Sequence, residues 1–334
     1  MRIVKSFAAA SFALLSAITI LALRKSSVDV STTDKVTMMF PASPDLPNVT
    51  AFQIAKHEHY YSDAGLDVEF LAGHGGVDAA RQVGTGNADF ADVFGDTEIV
   101  VRSEGLPVKM VALMGGRGPT VLTMRSDSGI RSLKDLKGKK ISILGLQDST
   151  YYVLLAALAS ANLNKNDVDI QALGAPGVIQ QFIDGRVQVC ACIPEWIVGA
   201  EDAGLDLNFM PVSDYVPILG PSIITSNQML AEHPDVVRRF VQATLKAYVE
   251  LRDHPAEMTK VYVDAVPAHR GKEATLARVY RYYSQFAWQD QKAAGMIDAD
   301  RVKNLQDIYY DQRIIQKKSP VDDLFTNRFV VAGE

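Results

Sequence analysis

The stretch Gly138-Lys139-Lys140-Ile141-Ser142-Ile143-Leu144-Gly145-Leu146-Gln147-Asp148-Ser149-Thr150 runs from a turn through a short strand to the start of a helix. Just upstream, Ser132 and Asp135 have capping-box spacing, and Gly138 stops their helical turn where a left-handed residue costs least. Ile141, Ile143 and Leu144 make a short buried strand. It ends at the polar step Asp148-Ser149-Thr150, which opens the apolar run Tyr151–Leu163. Strand, polar turn and helix start together aim backbone N–H groups and short side chains at a ligand. The construction recurs twice more, which predicts a fold built around a cleft.

Outward from this stretch, strand and helix patterns alternate. Strands are predicted at Val36–Phe40, Leu66–Phe70, Phe90–Val93 and Val108–Leu113, with helices at Asn48–Tyr61, Gly76–Thr85 and Thr97–Glu104 between them. The pattern repeats through Ile141–Leu144, Tyr151–Ala161, Val168–Ala172, Gly177–Asp184 and Val187–Ile193. Pro234–Asp253 reads as a long amphipathic helix opened by proline, and the chain from Thr275 is mostly helical. Such regularity predicts an α/β fold with mostly parallel sheets and helices on both faces, in two lobes.

At 334 residues the chain can bury one large core or two ordinary ones. The formal charge is −5, with basic clusters only at Lys137–Lys140 and Lys317-Lys318, which argues against a nucleic-acid partner. Arg2 and Lys5 precede an apolar run from Phe7 to Leu23, the layout of a secretory signal. Residues 1–25 are therefore read as an export signal, cleaved rather than kept as an anchor, and 26–35 as a linker. Cys190 and Cys192 share one face of a strand, about 6–7 Å apart, too far for an unstrained bridge. They are read as two small buried strand residues, and no metal site is expected.

Several segments resemble the substrate-binding proteins of ABC importers for nitrate, sulfonates, taurine and thiamine-pyrimidine precursors. These are Ser128-Gly129-Ile130 with Asp135–Ile141, His59–Val68, Gly84–Phe90, Gly105-Leu106-Pro107-Val108 and Pro234–Phe240. The likeness runs in order from about residue 36 to about residue 265. It implies the type II periplasmic-binding-protein fold, with a ligand cleft between the lobes. Residues 36–120 would form the first part of lobe one, 121–225 an inserted lobe two, and 226–334 the return to lobe one and the C-terminal helices. Thr120–Arg125 and Ser222–Asn227 are the candidate hinges.

The candidate ligand-binding residues sit where predicted strands give way to helices. Asn48 either caps a helix or contacts a ligand, and Phe52, one turn on, faces cleft or core. Gly73-His74-Gly75-Gly76-Val77 lets the backbone approach a ligand, and Gly75, Gly76 and Val77 are taken as candidates. Asp96 and Thr97 either bind polar groups or cap their helix. Asp148, Ser149, Thr150 and Tyr151 hold the equivalent place in lobe two. Glu195 and Trp196 follow the cysteine strand, where the resemblance implies an aromatic or acidic contact suited to a flat ring. Tyr215, in Asp214-Tyr215-Val216-Pro217, resembles a ligand loop of the family, although Val216 replaces its glycine.

Catalytic motifs are absent from the sequence: there is no Gly-x-Ser-x-Gly, phosphate loop or His-Glu-x-x-His. The expectation is a monomeric, exported solute-binding protein without catalytic residues or cofactor. It would close its lobes on a small molecule and deliver it to an ABC-transporter permease at the inner membrane. Three acids and no obvious cleft Arg or Lys favour a flat, neutral or cationic heterocycle such as a thiamine-pyrimidine precursor. The alternatives are a nitrate- or sulfonate-type binder, an enzyme like the pyrimidine-precursor synthases that share the fold, or a lobe that presents ligand to a membrane sensor.

Overall fold

A computed structural model describes residues 33–330. The expected targeting segment, and all but the last residues of the linker after it, lie outside the described residues. Two five-stranded sheets organise the rest. The first contains β1 (Asp34–Phe40), β2 (Leu66–Ala72), β3 (Phe90–Phe94), β4 (Val108–Leu113) and β10 (Pro221–Ser226), in the order β2-β1-β3-β10-β4. The second contains β5 (Val121–Arg125), β6 (Lys140–Ile143), β7 (Asp169–Ala172), β8 (Val189–Cys192) and β9 (Leu207–Pro211), in the order β7-β6-β8-β5-β9.

Strand β1 runs parallel to β2 and β3, and β6 parallel to β7 and β8. One strand in each sheet is reversed: β10 lies antiparallel to β3 and β4, and β5 antiparallel to β8 and β9. Each reversed strand is the first one laid down after the chain crosses from the other sheet. The hinge candidates Thr120–Arg125 and Ser222–Asn227 therefore coincide with strands held in ladders. The crossings lie just before them, at 114–120 and 212–220, and Pro221–Ser226 belongs to the first sheet although it was expected to close lobe two. The two crossings run side by side, with Met114 N–H donating to Pro221 O at 2.7 Å and Gly118 N–H to Ile218 O at 3.1 Å.

Helices cover both faces of each sheet. On the first, α1 (Thr50–His57) buries Phe52 and Ile54 on one side, while α2 (Gly76–Gly84) and α3 (Gly95–Ser103) bury Val77, Ala80, Val83 and Ile99 on the other. On the second lie α4 (Ser149–Ser160), α5 (Gly174–Ile183) and α6 (Pro194–Asp202). The single helix expected over Asn48–Tyr61 is broken. It ends at His57, and His59 takes a left-handed φ of 63° before a short turn at Tyr60–Asp63. By contrast, α7 spans Pro234–Asp253 as expected, because proline suits its first turn and Val237, Phe240, Val241, Thr244, Tyr248 and Leu251 make one buried stripe. Phe240 stacks on Tyr61 and on Phe90, with ring centroids 5.2 and 4.1 Å apart. After it come α8 (Pro255–Ala265), α9 (Glu273–Phe286) and α10 (Ala299–Asp311). No helix among the described residues is long and apolar enough to cross a membrane.

Cys190 and Cys192 depart from the sequence reading. They are joined as a disulfide, with Cα atoms 5.1 Å apart. An extended strand would hold them about 6–7 Å apart. Contraction of β8 between them brings the two same-face side chains together.

Candidate functional site

A cavity of about 220 Å³ opens between the two sheets, at the carboxyl ends of β1, β3, β6 and β8. Open α/β sheets place ligands at such strand ends, because helix N-termini and loop side chains converge there. From the first sheet come Phe40–Ser43, Leu46, Asn48, Val49, Gly76, Asp92–Phe94 and Thr97. From the second come Leu144, Asp148–Thr150, Ala175, Ile193, Glu195 and Trp196. Eight of the fourteen sequence candidates thus line one space: Asn48, Gly76, Thr97, Asp148, Ser149, Thr150, Glu195 and Trp196.

Six candidates do not line it. Phe52 is fully buried and packs edge-on against Phe40, with ring centroids 5.1 Å apart, so it faces the core. Val77 points into the core on the far side of the first sheet. Gly75 sits at the rim, with φ of 103° and an imagined Cβ 3.5 Å from Gln147 O of the opposite lobe. Asp96 turns inward, where the Tyr309 hydroxyl donates to its carboxylate at 3.2 Å. Tyr151 packs against the helical face of lobe two beside Tyr152. Tyr215 is 46% exposed.

The polar groups of the cavity follow from their local elements. Asp148 caps α4, accepting from the Thr150 N–H at 2.9 Å and the Thr150 hydroxyl at 2.7 Å. The Gly76 N–H of the opposite lobe faces it and favours its charge, yet burial still raises its pKa. Glu195 lies in the first turn of α6, behind Pro194. Tyr283 on α9 donates its hydroxyl to one Glu195 oxygen at 3.0 Å, and the other oxygen is buried without a partner among the described residues. Burial pushes the Glu195 carboxyl up to about 7. Asn48 does not cap its helix; its Oδ1, like the Thr97 Oγ1, is buried without a partner among the described residues.

Asp92 was missed from the sequence. It sits mid-strand in Phe90-Ala91-Asp92-Val93-Phe94, is 3% exposed, and has an Oδ1 without a partner among the described residues. Burial raises its pKa well above the usual carboxylate range. The available signal was a lone acid inside an otherwise apolar strand, a placement that is costly without a purpose. No Lys, Arg or His lines the cavity. Arg117 is engaged at the crossing by Ser213 and Asp214, and Arg125 donates to Ile183 O at 2.7 Å. Among the described residues no group of three or more His, Cys, Asp or Glu is placed to hold a metal ion.

Comparison with known proteins places this geometry in a family. The riboflavin-binding protein RibY of Chloroflexus aurantiacus is 25% identical over 299 residues, which cover 86% of this chain and 84% of that protein. The 4-amino-5-hydroxymethyl-2-methylpyrimidine phosphate synthase of Schizosaccharomyces pombe is 24% identical over 225 residues, 63% of this chain and 64% of the synthase. The crystal structure of the periplasmic aliphatic sulphonate binding protein SsuA from Escherichia coli superposes with a TM-score of 0.70 at 14% identity. It covers 89% of this chain and 99% of that one, and shows the periplasmic-binding-protein fold. The model of the family described as NMT1/THI5 like matches residues 46–258. The chain belongs to the NMT1/THI5-like family.

Proposed function

We propose that the protein is an exported solute-binding protein. It captures a small, flat heterocycle by closing two lobes and presents it to an ABC permease at the inner membrane; the protein itself carries out no chemistry. The observation that supports this is the composition of the cavity. Three aromatic side chains, Phe40, Phe94 and Trp196, stand beside aliphatic ones, with acceptors from both lobes that lack partners among the described residues. A site of this kind orients a planar ligand and rewards its N–H groups, because each buried acceptor left unpaired costs about 1–3 kcal/mol.

The cavity of about 220 Å³ falls below the roughly 300–1,000 Å³ of clefts for drug-sized ligands. It therefore suits one or two rings, such as a thiamine-pyrimidine precursor, better than a flavin. A sulfonate or nitrate would meet carboxyls with no cationic side chain to offset them. A synthase role is disfavoured because no histidine or reduced thiol lines the cavity.

The test is a thermal-shift screen of the purified protein against aminopyrimidines, other amino-heterocycles, flavins, sulfonates and nitrate. A ligand at 100 times its Kd adds about 2.7 kcal/mol of stability, which is readily visible. Trp196→Ala should weaken the hit at least about tenfold, the loss of a stacking platform together with its buried area. Failure of every compound class removes the solute-capture reading.

A further inference from the structure

We propose that the ligand enters this cavity as an organic nitrogen cation, a protonated amine or amidine on a small ring. It is held by the Asp92 and Glu195 carboxyls, and each capture expels one proton from the pair. The inference rests on the solute-binding reading and adds the charge of the solute and its coupling to pH.

The argument begins with charge. Asp92, Asp148 and Glu195 line one space of about 220 Å³ in which no cationic side chain takes part. Of the three, Asp148 is satisfied by its own helix start, through the Thr150 N–H and hydroxyl. Asp92 and Glu195 each keep an oxygen buried without a partner among the described residues. The titratable neighbours that face them are phenols: Tyr283 and Tyr280 from α9, and Tyr262 from α8. None of these can neutralise a carboxylate. Tyr283 lies close to both acids, bonding Glu195 directly and sensing the charge of Asp92. Two carboxyls without counter-ions in a desolvated space hold protons when the cavity has no ligand, and burial raises the affinity of both for those protons.

A cation changes the balance. Its charge stabilises an ionised carboxylate, and its N–H groups fill acceptors that nothing else reaches. One carboxyl of the pair ionises and releases its proton to solvent, so net charge in the site is conserved as one ligand charge replaces one proton, and the other carboxyl stays protonated while its free oxygen accepts a ligand N–H. An anion has the opposite effect, meeting carboxyls without a donor of its own. A neutral amide isostere can donate N–H groups but forms no charge pair. The binding constant for a cation should therefore rise with pH while the carboxyls titrate.

Three probes of one shape and different charge test this: benzamidinium, benzamide and benzenesulfonate, measured by isothermal titration calorimetry. Benzamidinium should bind at least about tenfold more tightly than benzamide, and benzenesulfonate not at all. Its affinity should rise from about pH 5 to about pH 8. Calorimetry near pH 6 in two buffers of different ionisation enthalpy should show release of about one proton per ligand. Asp92→Asn and Glu195→Gln, which keep shape and remove charge, should each erase most of the preference for cation over benzamide; the double variant should release no proton.

Equal or tighter binding of benzamide or benzenesulfonate overturns the proposal, as does zero proton release by the wild-type protein. Binding of none of the three at millimolar concentration overturns it too. That outcome leaves the wider compound screen to decide the solute-binding reading, so the two failures are distinguishable.

Discussion

Glu195 shows how one side chain can serve function at a cost to stability. Its stem is part-exposed, but its carboxyl is enclosed between α6 and α9, where burial pushes it up to about 7. An unfolded glutamate titrates near about 4.3. Between those values the folded chain holds a proton that the unfolded chain has lost, so stability falls as pH rises across the window. The contribution is at most about 4 kcal/mol, at 1.36 kcal/mol per pKa unit. Glu195→Gln should therefore melt at a higher temperature than wild type near about pH 8 and equal it near about pH 4, measured without ligand. A variant that is less stable at both values would show that the carboxylate itself holds the site together. The sequence reading placed Glu195 at the cleft from its position after a strand. It overlooked Asp92 because strand alternation says which residues are buried but not which buried residue faces a gap.

At the scale of elements, the crossings determine how the lobes meet. The segments 114–120 and 212–220 lie so close that a Cβ on Gly220 would stand 2.3 Å from Gly115 O. Backbone cannot yield to such an overlap locally, so Gly220→Ala should lower stability by about 2 kcal/mol or more, read as a fall in urea midpoint. Gly199 on α6 is the control. An added Cβ there meets nothing within 4 Å, and alanine in a helix is favoured over glycine by up to about 1 kcal/mol. Gly199→Ala should hold or raise the midpoint, and equal losses at both glycines would remove the packing argument. Sequence reading assigned these crossings to the adjacent strands. The β-branched, apolar composition of Val121–Arg125 and Pro221–Ser226 fits a strand as well as a connection, and only the ladder pairings separate the two.

At the scale of the whole molecule, contacts bridge the cleft from several elements. Gly76 faces Asp148, Tyr283 bonds Glu195, Arg278 on α9 bonds Glu201 and Asp202 at the end of α6, and Tyr282 bonds Glu201. These contacts describe a closed arrangement that ligand would favour over an open one by its differential affinity. Small-angle scattering should show a smaller radius of gyration when a confirmed ligand is added to saturation. An unchanged profile would mean that the cleft is already formed without ligand and that hinge closure plays no part in capture.

Strand and helix alternation, the long helix Pro234–Asp253, and the helix starts near Gly76 and Asp148 were determined by the sequence alone. Local rules of capping, periodicity and proline placement act within a few residues, so they can be read without knowing the fold. The tertiary structure alone decided that Phe52, Val77 and Asp96 turn away from the cleft, that Asp92 turns toward it, and that β10 returns to the first sheet. Those outcomes depend on which face of an element meets which neighbour. That is settled by packing between residues far apart in the chain, as when Tyr309 claims Asp96 across 213 positions and Tyr283 claims Glu195 across 88.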